Sequence, residues 1–314
     1  MDRTLGPRNL GGILSETFAI YKSNFLRLVG VVAIVSVPVT VLYLIVELLF
    51  PAHGGGATEA IANGIFSLLL GLASSVAFIL MGGAVIHAVS EQYLNQPINI
   101  GRAYSFAWNR LSDMFWAAVL AGLAIYGILV AATLISLFIS IAIGVEISGW
   151  QGMMAWAAIL ILIATPPALY LGITWTFILQ AALVEDCGPR AALSHSSALV
   201  KKSWWRVLGI VLLLVIIVMT ITMIFYMPAI ISAVSQTTTG FISYATTEPT
   251  SWTMIAATIG GLIGNIICIP IFTIGATLLY FDLRLRKQGY SLDALVNELG
   301  LTSAPADTSA SPPQ

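Results

Sequence analysis

Three histidines, two cysteines and 14 acids are the residues of this 314-residue chain that could carry acid-base, thiol or metal chemistry. His53 lies in a glycine-rich run, His87 falls one helical turn before Glu91, and His195 stands in the stretch SHSS. Cys187 and Cys268 fall on no metal-ligand or redox spacing and do not read as a disulfide pair, so both are taken as small apolar residues or free thiols. Glu185 and Asp186 adjoin, but neighbours on a helix point apart, and they read as solvated acids. No two carboxylates sit at a spacing that argues for a metal or a general acid-base site. There is no Walker-type phosphate loop. The expectation is no catalytic residue, no cofactor and no metal. One polar group lies deep in an apolar run: Asn265, preceded by GGLIG, where Gly260 and Gly264 permit close helix approach and the amide can bond across it. That trio reads as helix packing, with a solute site as the alternative.

The elements that carry these residues follow from composition. At 58% hydrophobic and 9% charged residues the chain is far from a soluble globule, in which about 25% are charged. It reads as an all-α integral membrane protein. Crossing the hydrocarbon takes about 20 mostly apolar residues, and six segments are long enough, at roughly 28 to 50, 65 to 89, 115 to 144, 155 to 184, 205 to 235 and 252 to 281. Their central portions hold no ionisable residue; Glu47 and His87 stand near span ends. Pro38, Pro166, Pro167, Pro228 and Pro270 fall inside spans, where each removes a backbone hydrogen bond. Broken helices of this kind line transporter sites, and they are also tolerated where neighbours satisfy the freed groups.

Positive charge is one-sided. Arg3, Arg8, Lys22 and Arg27 precede the first span, Arg102 and Arg110 lie in the second loop, Arg190, Lys201, Lys202 and Arg206 in the fourth, and Arg284, Arg286 and Lys287 follow the sixth, which accounts for all 13 Lys and Arg. The first, third and fifth loops hold no Lys or Arg, only acids such as Glu59, Glu146 and Glu248. The positive-inside rule then places both termini in the cytoplasm, in a multi-pass protein of a prokaryotic inner membrane. The first span is too long and too late for a cleaved signal peptide and is expected to stay.

The chain also repeats itself. ILSETFAIYKSNFLRLVG at 13–30 aligns without a gap on ALSHSSALVKKSWWRVLG at 192–209, and the second loop keeps the pattern. Leu14, Phe18, Tyr21 and Phe25 correspond to Tyr104, Trp108, Leu111 and Phe115, and to Leu193, Ser197, Val200 and Trp204; this spacing marks one face of a helix. PALYLGIT at 167–174 and PIFTIGAT at 270–277 share Pro, Gly and Thr in register. The expected architecture is one polytopic domain over 1–300 in three repeats, about 10–95, 96–188 and 189–300. Each is an interfacial amphipathic helix followed by two spans. A fourth short helix is expected at SLDALVNEL, 291–299, before Gly300, and a disordered tail over 301–314.

In this arrangement Lys22, Phe25, Arg27, Arg110, Phe115, Lys201, Lys202, Trp204, Trp205, Arg206, Arg284, Arg286 and Lys287 are membrane-interface residues. The aromatics sit in the interfacial belt and the cations face anionic headgroups, at roughly 1 kcal/mol per cation near the surface. Basic residues interleaved with aromatics also suit nucleic acid, but the same pattern recurs where cations are few, and no nucleic-acid partner is expected.

Three stretches, LGGILSETFAIYKSNF, GPRAALSHSSALVKKSWWRVLG and TLLYFDLRLRKQGYSLDAL, together resemble the glycerophosphoryl diester phosphodiesterase membrane domain family. The resemblance covers nearly the whole chain before the tail and departs at 194–197, where SHSS replaces an arginine-serine-tryptophan-like run. It implies a multi-pass membrane portion. The phosphodiesterase chemistry of that family belongs to a separate barrel, which needs on the order of 250 residues, whereas the longest non-membrane stretch here is about 33. The expected function is a non-enzymatic membrane scaffold or accessory protein that contacts lipid headgroups or membrane-protein partners. A transporter or lipid-handling protein is the alternative.

Overall fold

The computed structural model describes residues 9–50, 57–94, 96–143, 149–235 and 251–288. His53, the expected helix at 291–299 and the tail 301–314 lie outside them. The described elements are helices, in the order α1 (Leu10–Ser23), α2 (Phe25–Leu49), α3 (Ala57–Tyr93), α4 (Ile100–Asn109), α5 (Leu111–Ala142), α6 (Trp150–Thr174), α7 (Ile178–Val184), α8 (Pro189–Val200), α9 (Trp204–Ser235) and α10 (Ser251–Gln288). Six helices are long and apolar enough to cross a membrane: Phe25–Leu49, Thr58–Tyr93, Leu111–Ala142, Gln151–Val184, Trp204–Met227 and Ile255–Lys287. They coincide with the six apolar runs of the sequence. Leu48, Phe138 and Leu162 are each about three-quarters exposed, which is costly in water but not in hydrocarbon. The helices run through Pro38, Pro166, Pro167 and Pro270 without ending.

Contacts divide the chain into two compact units, Met1–Leu111 with Ile210–Arg286, and Ser112–Gly209 with Lys287–Gln314. In the first, α2 and α3 form an antiparallel hairpin: Ser36 Oγ donates to Met81 Sδ at 3.7 Å, the amide of Asn63 donates to Glu47 at 3.2 Å, and Phe50 stacks on Phe66. With 37 residues at about 1.5 Å each, α3 exceeds the roughly 30 Å of hydrocarbon. Its two parts differ accordingly. Ile61, Ile65, Leu68 and Leu72 are exposed, whereas the last turns, from Met81 to Tyr93, are mostly buried. The sixth span, Ile255–Lys287, is the most enclosed of the six.

The same unit holds α10 against α9 through small residues. A methyl group on Gly260 would stand 2.4 Å from the carbonyl oxygen of Phe225, and one on Gly261 2.4 Å from the Tyr226 hydroxyl. Beside Gly275 it would stand 2.6 Å from Leu214 Cδ1, the movable end of a side chain. Cys268 is buried there; it accepts from Thr222 Oγ1 at 3.4 Å and donates to Val218 O at 3.7 Å.

In the second unit, α6 stops at Thr174 and a turn over 175–177 leads to α7. Ser196 of α8 bridges that break, donating to Thr174 O at 2.9 Å and accepting from the Phe177 N–H at 3.3 Å. Ser197 accepts from Trp175 Nε1 at 3.2 Å. Two of the four residues of SHSS therefore fasten a helix break. Ser196→Ala is expected to lower the unfolding temperature in detergent by a few degrees, because it removes both bonds that Ser196 makes across the break, each worth about 1 kcal/mol; Ser194→Ala, at an exposed position, serves as the neutral comparison.

Candidate functional site

Three times a short helix is followed, after a break of one to three residues, by a long apolar one: α1 to α2 at Asn24, α4 to α5 at Arg110, and α8 to α9 at 201–203. The starts match as well. Asn9 Oδ1 accepts from the Gly12 N–H at 2.8 Å, and Asn99 Oδ1 from the Arg102 N–H at 3.1 Å, each satisfying a first-turn donor. The third short helix instead begins at Gly188 with Pro189 in its first turn, where the missing N–H costs nothing.

The buried stripe of each short helix runs one residue ahead of the stripe expected from sequence. Ile13, Thr17 and Ile20 are buried in α1, Ala103 and Ala107 in α4, and Ala192, Ser196 and Leu199 in α8, where Val200 of the expected stripe is buried as well. Of the expected stripe, Phe18 is 41% and Trp108 65% exposed. The apolar sector is wider than the protein-facing side. Small and aliphatic residues pack inward, and bulky aromatics are left at the edge.

The interface residues inferred from sequence divide by burial. Lys22, Phe25, Arg27, Lys201, Lys202, Trp205, Arg286 and Lys287 are exposed, Trp205 to 79%. Arg110, Phe115, Trp204 and Arg206 are half-buried. Trp204 stacks on Tyr170 and meets Trp205 edge-on at 4.8 Å between centroids. The Lys287 ammonium donates to Leu199 O at 2.6 Å, and Arg286 pairs with Asp282 at 2.9 Å. Arg284 is buried, its guanidinium 5.6 Å from the Tyr280 ring centroid, so it belongs to the protein interior and not to a surface.

Two tyrosines tie short helices to spans. Tyr21 donates to Ile267 O at 3.0 Å, and Tyr104 to Val31 O at 2.6 Å. Burial pushes both phenols up to about 12, so they remain donors throughout the physiological range. Tyr104→Phe is expected to weaken the α4 anchorage by about 1 kcal/mol, read as faster protease nicking of the 94–99 connection.

Two clusters go beyond what sequence spacing revealed, which was His87 one helical turn before Glu91. At the end of α3, Glu91 is fully buried; it accepts from Arg102 Nε at 2.5 Å and from the Asn99 N–H at 3.1 Å. His87 lies 3.6 Å from Glu91 and packs against Phe106, over which Arg110 sits at 4.7 Å. In the second unit Glu185, Cys187 and His195 converge, each offering a ligand atom within 4.8 Å of the others. His195 Nδ1 hydrogen-bonds the Glu185 carboxylate, and Cys187 Sγ lies 3.5 Å from Ala181 O. Burial, and then the Glu185 charge, push the Cys187 thiol up to about 11. Glu185 and Asp186 are not simply two acids on a helix: α7 ends at Val184, and Asp186 has φ 49°. The signal was the string EDCGPRAALSH read across a turn. Gly264 packs on Thr222 with Gly260 against Phe225, whereas Asn265 is exposed.

Comparison with known proteins finds no matching family model, no similar curated protein and no similar solved structure.

Proposed function

We propose that this chain is a non-enzymatic multi-pass scaffold or accessory protein of a prokaryotic inner membrane, built from three repeats of an interfacial helix and two spans, with both termini cytoplasmic. Its short-to-long helix junctions engage anionic lipid headgroups and, through them, neighbouring membrane proteins. The observation that carries this reading is the composition of the junctions: exposed Lys22 and Arg27 beside Phe25, and exposed Lys201 and Lys202 beside Trp205. Cations that reach headgroups next to amphipathic aromatics are what an interfacial element requires. The recurrence of Asn9 and Asn99 as helix caps 90 residues apart supports the repeats. The sequence resemblance to the phosphodiesterase membrane domain family agrees with a membrane module that performs no hydrolysis.

The test is reconstitution. Protein in vesicles containing anionic lipid is expected to enrich that lipid in its annulus, and Lys201→Glu, Lys202→Glu, Arg206→Glu together should abolish the enrichment; Trp204→Ala with Trp205→Ala should weaken it without blocking insertion. Saturable flux of a solute through the same vesicles would overturn the scaffold reading in favour of a transporter. For orientation, an impermeant thiol reagent added to whole cells is expected to label Ser148→Cys and Thr238→Cys but not Ser194→Cys or Ser303→Cys. Labelling at 303 from outside would require an odd number of crossings.

A further inference from the structure

We propose that Glu185, Cys187 and His195 form a binding site for a divalent transition-metal ion of the zinc class, which staples the turn after α7 to the middle of α8. The three side chains come from two helices and the turn that joins them, and their ligand atoms already lie within 4.8 Å of one another. At zinc bond lengths of 2.0–2.3 Å the ligand atoms of a tetrahedral ion stand about 3.3–3.8 Å apart. The widest separation must close by about 1 Å, and the hydrogen-bonded Glu185 carboxylate and His195 Nδ1 must open to admit the ion between them. His195 can supply both movements, because its side chain is 45% exposed, while that of Glu185 is 10% exposed.

The backbone explains why these donors meet. On a continuous helix residues 185 and 187 would diverge by about 200°. Here α7 has ended, and Asp186 takes a left-handed conformation, the only non-glycine residue with positive φ among those described. Pro189 starts α8 two residues after Cys187, and His195 follows within it. Ser196, next to His195, is fixed by its two bonds across the α6–α7 break, so the helix carrying the imidazole is held in register with the turn.

The donor set selects the ion. One thiolate sulfur, one imidazole nitrogen and one carboxylate oxygen suit zinc and its neighbours, whereas magnesium and calcium require mostly oxygen. Binding displaces the thiol proton of Cys187 to solvent, leaving sulfur as thiolate on the metal, and an open position for water or a fourth donor remains. Nothing in this site depends on lipid binding at the junctions, and its failure would leave that reading untouched.

The full-length protein in detergent provides the test, with zinc chloride and cobalt chloride as the probes. Zinc is expected to slow alkylation of Cys187 by a maleimide at least tenfold relative to the chelator-treated protein, followed by mass spectrometry of the 185–190 peptide. Glu185→Gln combined with His195→Ala should remove that protection. Cobalt should give a sulfur-to-metal charge-transfer band that persists in Cys268→Ser and vanishes in Cys187→Ser. Equal alkylation with and without zinc, or protection that survives the Glu185→Gln, His195→Ala double substitution, would overturn the proposal, the latter by showing adventitious binding to a single thiol.

Discussion

Gly260→Ala is expected to lower the unfolding temperature in detergent by many degrees and to reduce the yield of monodisperse protein, while Gly264→Ala leaves both nearly unchanged. The two glycines share one face of α10, four residues apart, yet their surroundings differ in what can yield. At Gly260 the added methyl would meet the carbonyl oxygen of Phe225 at 2.4 Å and its carbon at 3.2 Å. Those are backbone atoms of another helix. Relief requires the helices to separate, which loosens the small-residue packing that supplies most of the attraction between helices in hydrocarbon. Overpacking of this kind costs about 1–3 kcal/mol, and a backbone obstacle places the loss at the upper end. At Gly264 the nearest atom is the Thr222 methyl at 3.4 Å, the tight edge of ordinary contact, and the small shift it demands is offset by the roughly 1 kcal/mol of helix propensity that alanine recovers. Gly264→Leu, whose side chain extends past that contact, should be destabilising. Asn265→Leu should be mild, because the amide is exposed and not part of the contact. The check is a thermal series of the four variants at matched detergent. Equal stability of Gly260→Ala and Gly264→Ala would show that α9 and α10 do not approach as closely as described.

That contrast separates what the sequence reveals from what it hides. The run GGLIGN announces close packing, since small residues four apart have few other uses in a span. It does not say which member touches the neighbour, because Asn265 lies about 100° around the helix from Gly264. The six spans are legible for the same reason: length and apolarity are properties of a segment taken alone. So is the presence of the three junctions, where apolar residues recur at helical spacing. Their inward stripe is less legible, as Ile13, Thr17 and Ile20 show; periodicity identifies an apolar sector, and only packing decides which edge of it meets protein. Sites assembled across turns are not legible from helical spacing. Glu185, Cys187 and His195 meet because α7 stops at Val184 and Asp186 reverses the chain, and no spacing rule for a continuous helix anticipates that. Arg284 was hidden by its company: in DLRLRK it reads as one more surface cation, and its burial beside Tyr280 depends on how the end of α10 is enclosed.

The same limit applies to Glu91 and Arg102, eleven residues apart across the α3–α4 connection, and their pair yields the other large effect. Arg102→Met is expected to destabilise the protein by about 3–5 kcal/mol, the cost of leaving a buried carboxylate without its cation. Glu91 is fully buried, and its remaining bond is to the Asn99 N–H at 3.1 Å. Because the Arg102 side chain is 45% exposed, water can reach the vacated position and hold the loss near the lower figure. Glu91→Gln should cost less, since the amide oxygen still accepts from Asn99 and the charge left behind is that of Arg102, whose side chain is 45% exposed to water. The informative variant is the double one. Glu91→Leu with Arg102→Met removes both charges and should be more stable than Arg102→Met alone, because a buried ion pair repays its own desolvation only partly. None of these variants replaces His87, 3.6 Å from Glu91 in the parent, so adding His87→Phe to Arg102→Met tests whether the imidazole takes over as the partner of the stranded carboxylate. If it does, that second substitution deepens the loss. A double-substituted protein no more stable than Arg102→Met alone would show that the pair fixes the α3–α4 geometry by its hydrogen bonds and not by compensating charge.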